Sequence, residues 1–403
     1  MSVRGMRRLV VASLAPILVL SFMLRYLHLT DMGNLTPFPY LRQPIRVEAT
    51  PMLASRIKYH QDCSSWASIP IASSLESYIV MHKKCKDEVG MKYLIYSCGN
   101  HMVCGGTGDR VRGIVTTLLY AIKTRRIFLV EWNYPFPLET HFIWKSINWT
   151  SPFLDQKPDF NFIGIIDSCE EDRFEKVLNA SAIGIRLMTN CHYSEPYRHA
   201  LIKEIWNKTV VDLQDVLNSY TSLLHEIFVP TERLKQKSKE MANQAGFEID
   251  VPYTGIHIRL GRTSTENPFN DPVRHGLNEI NSFIDCAKRL NDQYGLSQQY
   301  FVATDSASAR DQLKNKSVHL LPLQNAFHID RSETNETNAY HRYENTLVEL
   351  FLLINATCVV MSDSGFSYLP VIFGLKANQK NCFASARSCR DPTKDNLIEL
   401  FLF

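Results

Sequence analysis

Apolar positions along this chain change their spacing several times, and each spacing predicts a different kind of element. From Leu9 to Leu24 the run is continuous, broken only by Ser13, Pro16 and Ser21, with Arg4, Arg7 and Arg8 before it and Arg25 after it. At about 1.5 Å per residue that run spans roughly 24 Å, and Tyr26, Leu27 and Leu29 extend it toward the thickness of a thin early-secretory bilayer. No small-x-small cleavage pattern follows, so a retained signal anchor is expected over 9–29. The arginines would keep 1–8 cytoplasmic and the body luminal. Residues 30–90, with Pro37, Pro39, Pro44 and Pro51 and no strong period, read as a stem.

From Met91 the spacing alternates between that of strands and that of helices. Residues 92–96 form a short apolar strand, Gly105 to Asp109 a turn, 111–123 a helix with apolar Val111, Ile114, Val115, Leu118, Leu119 and Ile122, and 127–130 a strand. Residues 135–250 are less regular, with helices expected around 196–206 and 211–226. After Pro252 the pattern predicts strand 253–260, helix 278–293, strand 300–304, helix 306–314, strand 318–321, helix 341–354, strand 358–361 and helix 366–374. Strands alternating with helices imply parallel sheets joined by right-handed crossovers. The expected fold class is α/β, with two Rossmann-like lobes facing a cleft, 91–250 and 251–403.

Composition narrows the function classes. The formal net charge of +3 is slight and the basic residues are interspersed with acidic ones, so no nucleic-acid partner is expected. All 10 cysteines follow the hydrophobic run, and an even number beyond an anchor suggests disulfides whose pairing cannot be read from spacing. Their spacing with histidine matches no zinc pattern. N-x-Ser/Thr acceptors stand at Asn34, Asn148, Asn179, Asn207, Asn315, Asn335 and Asn355, although Asn355 falls in an apolar helix poorly suited to a glycan.

Candidate chemistry gathers where strands end. In Tyr253-Thr-Gly-Ile-His-Ile-Arg-Leu-Gly261, alternation sends His257 and Arg259 to one face and Ile256 and Ile258 to the other. Arg259 then sits at the carboxyl end of a strand, where open α/β sheets bind ligands, and its planar fork suits phosphate or carboxylate. A structural pairing with Asp or Glu is the competing account. Cys104-Gly-Gly-Thr-Gly-Asp-Arg110 is a glycine-rich strand-to-helix turn, either open to an anion or a tight turn with Asp109 as helix cap. Asp305, after strand 300–304, offers acceptors to a base or ribose, or caps the next helix. Ser362-Asp-Ser-Gly-Phe-Ser367 places hydroxyls and free N–H groups at a helix start, where a diphosphate could sit opposite Arg259. The G-x-S-x-G order of a nucleophile elbow is absent, which disfavours a hydrolase. Trp132, Tyr134, Phe136, Trp144 and Trp149 either stack on sugar rings or fill a core.

Taken together and in this order, these motifs resemble those of the GDP-fucose-dependent fucosyltransferases of the superfamily that joins α1,2-, α1,6- and protein O-fucosyltransferases. The resemblance covers about a third of the chain, mainly the second lobe. It implies a GT-B-like fold in which that lobe binds the nucleotide sugar and a glycan or glycoprotein acceptor enters between lobes. It also implies a Golgi membrane protein of single-pass type II topology. By motif, Arg259 would hold the β-phosphate and stabilise the leaving group, His257 would position donor or ribose, and Asp305 would contact the nucleoside. Ser362, Ser364, Gly365, Phe366 and Ser367 would border the pyrophosphate, and Gly106, Gly108 and Asp109 would face donor or acceptor across the cleft. Glu266 is the candidate base of an inverting displacement.

The family's second basic residue after His-x-Arg is Leu260 here, for which Arg262 is a possible substitute. No Asp-x-Asp occurs in the chain, so neither metal nor cofactor is expected beyond the donor itself. The other readings that remain are an inverting transferase for a different nucleotide sugar, and a luminal glycan-binding protein or pseudoenzyme.

Overall fold

The structure, a computed structural model of the chain, describes residues 63, 75–99, 102–153, 160–165, 174, 176–177, 180–191, 213–261, 272–322, 329, 336–375 and 382–389. The expected anchor, the helix around 196–206, Arg262 and Glu266 lie outside them. No helix among the described residues is long and apolar enough to cross a membrane.

Helix α1 (Leu75–Cys85) falls within the stretch read as stem, and the structure corrects that reading for this segment. Tyr78 is buried; its hydroxyl donates to Arg126 O at 3.0 Å and accepts from Phe128 N–H at 3.1 Å. His82 Nε2 lies 2.9 Å from Phe128 O, and Cys85 is bridged to Cys63. The helix escaped the periodicity because, beyond Leu75, its inward face is built from Tyr78, Met81, His82 and Cys85 rather than from Leu, Ile and Val.

Strand β1 (Tyr93–Cys98), helix α2 (Thr107–Thr124), strand β2 (Ile127–Trp132), the short β3 (Phe142–Ile143), β4 (Asn161–Ile165) and β5 (Gly184–Thr189) follow. Helix α3 (Leu213–Ile227), the short β6 (Val229–Pro230) and α4 (Glu232–Gln244) complete the first lobe. Its parallel sheet has the order β2-β1-β5-β4. Strands β4 and β5 and helix α4 were not apparent from the pattern. In β4 most side chains are exposed or half-buried, and β5 carries Arg186 mid-strand, so neither has a clean apolar period. Arg186 is accommodated by a bidentate pair with Glu131 of β2, at 2.8 and 3.1 Å.

The second lobe contains β7 (Thr254–Ile258), α5 (Ile280–Tyr294), β8 (Tyr300–Thr304), α6 (Ala307–Leu313), β9 (His319–Leu320), α7 (Glu336–Asn355), β10 (Cys358–Met361), α8 (Gly365–Leu375) and β11 (Cys382–Ser385). All strands are parallel in the order β11-β10-β7-β8-β9. Alternation along β7 is as expected: Ile256 and Ile258, with Leu260 beyond the strand, pack with Ile280, Phe283, Ile284 and Ala287 of α5. Each of these isoleucine, leucine and phenylalanine side chains contributes about 1.5–3 kcal/mol by leaving water. Gly255 faces Leu353 and Ala356, and His257 faces α8.

The lobes meet along α7 and α8. Thr221 Oγ1 of α3 donates to Ile372 O at 3.1 Å, and His225 Nε2 lies 2.9 Å from Phe373 O. Glu344 of α7 receives His141 Nε2 at 3.0 Å and Arg233 Nη2 at 2.8 Å. The expected disulfides are present: besides Cys63–Cys85, Cys98 pairs with Cys104, Cys286 with Cys389 and Cys358 with Cys382. No free thiol occurs among the described residues. Of the glycan acceptors, Asn315 is exposed after α6, Asn148 is half-buried and Asn355 ends α7, its amide donating to Phe351 O at 2.8 Å. Asn34, Asn179, Asn207 and Asn335 lie outside the described residues.

Candidate functional site

The carboxyl end of β7 is where the motif residues converge. His257 lies beneath α8, with Nδ1 2.6 Å from Ser367 Oγ and 3.3 Å from Ser362 Oγ; the two hydroxyls are 3.3 Å apart. Ser367 Oγ also accepts from Ser362 N–H at 3.2 Å, and Ser362 Oγ accepts from Arg259 N–H at 3.2 Å. The serine-rich turn is therefore hydrogen-bonded to the His-x-Arg strand end. Burial, reinforced by the positive charge of Arg259, pushes the His257 imidazole down to about 3. It is thus a neutral ring at ordinary pH, able to orient hydroxyls but adding no charge. The Phe366 ring lies over it, with centroids 5.0 Å apart.

Asp305 is neither the helix cap nor a side chain pointing outward. The cap of α6 is Ser306, which accepts from Ala309 N–H at 3.2 Å. Asp305 Oδ1 accepts from Leu260 N–H at 2.8 Å, Oδ2 from Gly261 N–H at 3.0 Å, and Arg259 Nε stands 3.4 Å from Oδ2. One buried carboxylate therefore organises the loop after β7 and aims the arginine. These contacts are with the protein's own backbone and arginine, a role the sequence did not indicate, and each oxygen keeps a further lone pair for a nucleoside donor. Gly261 is required here, because its φ is +69° and a Cβ on it would lie 2.2 Å from Pro272 O.

The glycine-rich turn also differs from expectation. Helix α2 begins at Thr107, so Gly108 and Asp109 lie within its first turn and Gly106 is its cap. Asp109 Oδ2 accepts from Gly106 N–H at 2.9 Å and its Oδ1 pairs with Arg112 Nη2 at 3.1 Å. Gly108 faces no open cleft, because a Cβ there would meet Gly365 C at 2.6 Å and Gly365 O at 2.8 Å. The first turns of α2 and α8, one from each lobe, are in backbone contact. Gly365 borders that junction, while Ser364 Oγ accepts from Phe366 N–H at 3.3 Å, as a helix cap does.

Arg112, Arg274 and Arg387 also lie at this junction, and no motif drew attention to them. Arg112 Nη2 would be 3.4 Å from a Cβ on Gly365. Arg387 pairs with Asp363 at 2.9 Å and donates to Arg274 O at 3.2 Å. Arg274 itself donates its N–H to Leu260 O at 3.1 Å. Their only sequence signal is the Asp109/Arg112 spacing of one helical turn; the others come from loops. Chemically, the strand end and the first turn of α8 combine arginine side chains, hydroxyls and helix N–H groups, a set suited to a diphosphate.

The aromatics divide. Trp132, Phe136 and Trp149 are buried in the core, Trp149 donating to Ile227 O at 2.6 Å; Tyr134 is half-buried and Trp144 is exposed. A groove of about 660 Å³ between α4 and the end of α7 is lined by Lys235, Lys239, Phe351 and Asn355 and includes none of the motif residues. No cluster of metal-ligating side chains occurs among the described residues.

No family model matches the chain, and no curated protein does. Among solved structures it is similar to a mutant of Arabidopsis thaliana FUT1 in complex with GDP, at 14% identity and TM-score 0.48, over 74% of this chain and 76% of that one. It is similar to the Bradyrhizobium NodZ alpha-1,6-fucosyltransferase soaked with GDP-fucose, at 14% identity and TM-score 0.42, over 70% and 92%. POFUT1 in complex with GDP is similar at 12% identity and TM-score 0.38, over 73% and 98%.

Proposed function

We propose that this protein is an inverting, metal-independent glycosyltransferase that moves L-fucose from GDP-fucose to a hydroxyl of a glycan or glycoprotein, as a type II protein of the Golgi membrane. The observation that carries the reading is the hydrogen-bonded unit of His257, Arg259, Ser362 and Ser367 at the carboxyl end of β7, beside the first turn of α8. The donor identity rests on the motif resemblance, since no residue of that unit reads a sugar.

In the proposed step the acceptor oxygen forms a bond to the anomeric carbon while the bond from that carbon to the β-phosphate oxygen breaks, its electron pair leaving with GDP. Arg259, aimed by Asp305, stabilises the charge that develops on the β-phosphate. Neutral His257 and the serine hydroxyls orient the donor, and Glu266 is the proposed acceptor of the hydroxyl proton. Arginine and helix N–H groups take the part that a divalent ion plays elsewhere.

Calorimetry on the full-length protein with GDP, GDP-fucose, UDP and GDP-mannose, in chelator, tests this. Binding of the guanosine nucleotides but not UDP is expected, with Arg259→Ala abolishing it while the thermal midpoint is kept. Transfer from GDP-fucose but not GDP-mannose is expected once an acceptor is supplied. Failure to bind GDP with or without a divalent ion overturns the proposal in favour of a glycan-binding protein, and GDP binding without turnover on any acceptor leaves a pseudoenzyme.

A further inference from the structure

Position 260 is a leucine and its side chain is buried among Ile256, Ile258 and the α5 core, so nothing at that position can touch an anion. The backbone beside it nevertheless carries a cation. Arg274 donates its N–H to Leu260 O at 3.1 Å, and a Cβ on Gly261 would lie 3.5 Å from Arg274 Cγ, so its side chain runs past the loop that Asp305 holds. The Arg274 carbonyl is fixed by Arg387 Nη2, which is itself paired with Asp363. Arg274 is therefore placed from both sides.

Asp363, the carboxylate that holds Arg387, stands just before the first turn of α8, so this network sets Arg274 beside that helix start. The Tyr368 hydroxyl, one turn into that helix, is pushed up by burial and by Asp363 and pulled back by Arg274 and Arg112. Arg259, Arg112 and Arg387 each have a carboxylate, in Asp305, Asp109 and Asp363. Arg274 has no carboxylate partner among the described residues. An exposed arginine held at its backbone, beside a helix amino end and lacking an acidic partner, is an anion ligand in waiting.

We propose that Arg274 is a second phosphate-binding residue for the donor diphosphate, supplying through space the cation that Leu260 does not supply in sequence. This rests on the reading of the site as a nucleotide-sugar site. GDP and guanosine are titrated into the full-length wild type and into Arg274→Ala, Arg274→Gln and Arg274→Lys variants. Loss of one charge-assisted contact predicts roughly ten- to a hundredfold weaker GDP binding in Arg274→Ala and Arg274→Gln, partial recovery in Arg274→Lys, and unchanged guanosine binding. Wild-type GDP affinity in Arg274→Ala, or a parallel loss of GDP and guanosine, overturns this inference and leaves the site reading intact. No GDP binding by the wild type overturns both.

Discussion

The two helix starts at the lobe junction, Gly106–Asp109 of α2 and Ser362–Ser367 leading into α8, look alike in sequence: each follows a strand and each contains glycine. The fold uses them differently. In the first, Gly108 is filled by the backbone of Gly365 and Asp109 by Gly106 N–H and Arg112, so the turn is a joint between lobes. In the second, Ser362 and Ser367 hold His257 and the amide of Arg259 beside a cationic rim, so the turn belongs to the site. A missing Cβ permits close approach by any partner, and whether that partner is a ligand or another helix is not encoded locally.

The contrast is broken most directly at Gly108. A Cβ there collides with backbone that cannot swing aside, so Gly108→Ala is expected to cost about 3 kcal/mol in denaturant unfolding. A near-wild-type midpoint would mean that the two helices do not touch. Glu344→Gln tests whether charge also holds the junction, with an expected cost of about 2 kcal/mol near neutral pH. Hydrogen bonds from His141 and Arg233 hold the Glu344 carboxyl down at about 2, below its ordinary 4.5. Its stabilisation is therefore complete above about 4.5 and lost as pH falls toward 2, so the gap between variant and wild type should close across that window.

On the site side, Asp305→Asn replaces an acceptor with a donor facing Leu260 N–H or Gly261 N–H. A cost of about 1 kcal/mol is expected, together with GDP affinity weakened roughly tenfold through the loosened Arg259. Unchanged affinity would show that Asp305 does not position the arginine. The smallest effect is expected for Gly365→Ala, under about 1 kcal/mol, because its Cβ comes no closer than 3.4 Å, to the end of the Arg112 side chain, with Gly108 Cα and Asp109 Oδ1 in ordinary contact at 3.8 and 4.0 Å. The difference between the two glycine variants thus measures which side of the joint is rigid.

Legibility followed the same division. Strands 300–304 and 358–361 stand as expected, and helix 366–374 differs by a residue at each end, because both faces of a parallel sheet are covered and apolar runs are unbroken. Helix α1 and β5 were hidden because they carry Tyr, His and Arg that are satisfied by partners far along the chain, and β4 because most of its side chains are exposed or half-buried. The residues that reach the site from motifs, His257, Arg259, Ser362 and Ser367, were legible because alternation and strand ends are local properties.

By itself the sequence determined the α/β class, the parallel strands of the second lobe and the face on which His257 and Arg259 lie, since these depend on a period of two and on where apolar runs stop. Only the tertiary structure decided that Asp305 serves the backbone of Leu260 and Gly261, that Gly108 serves Gly365, and that Arg274 stands beside Leu260. Those roles arise between segments far apart in the chain. Hydrogen bonds and close packing depend on distances that folding sets, and no neighbouring residue records them.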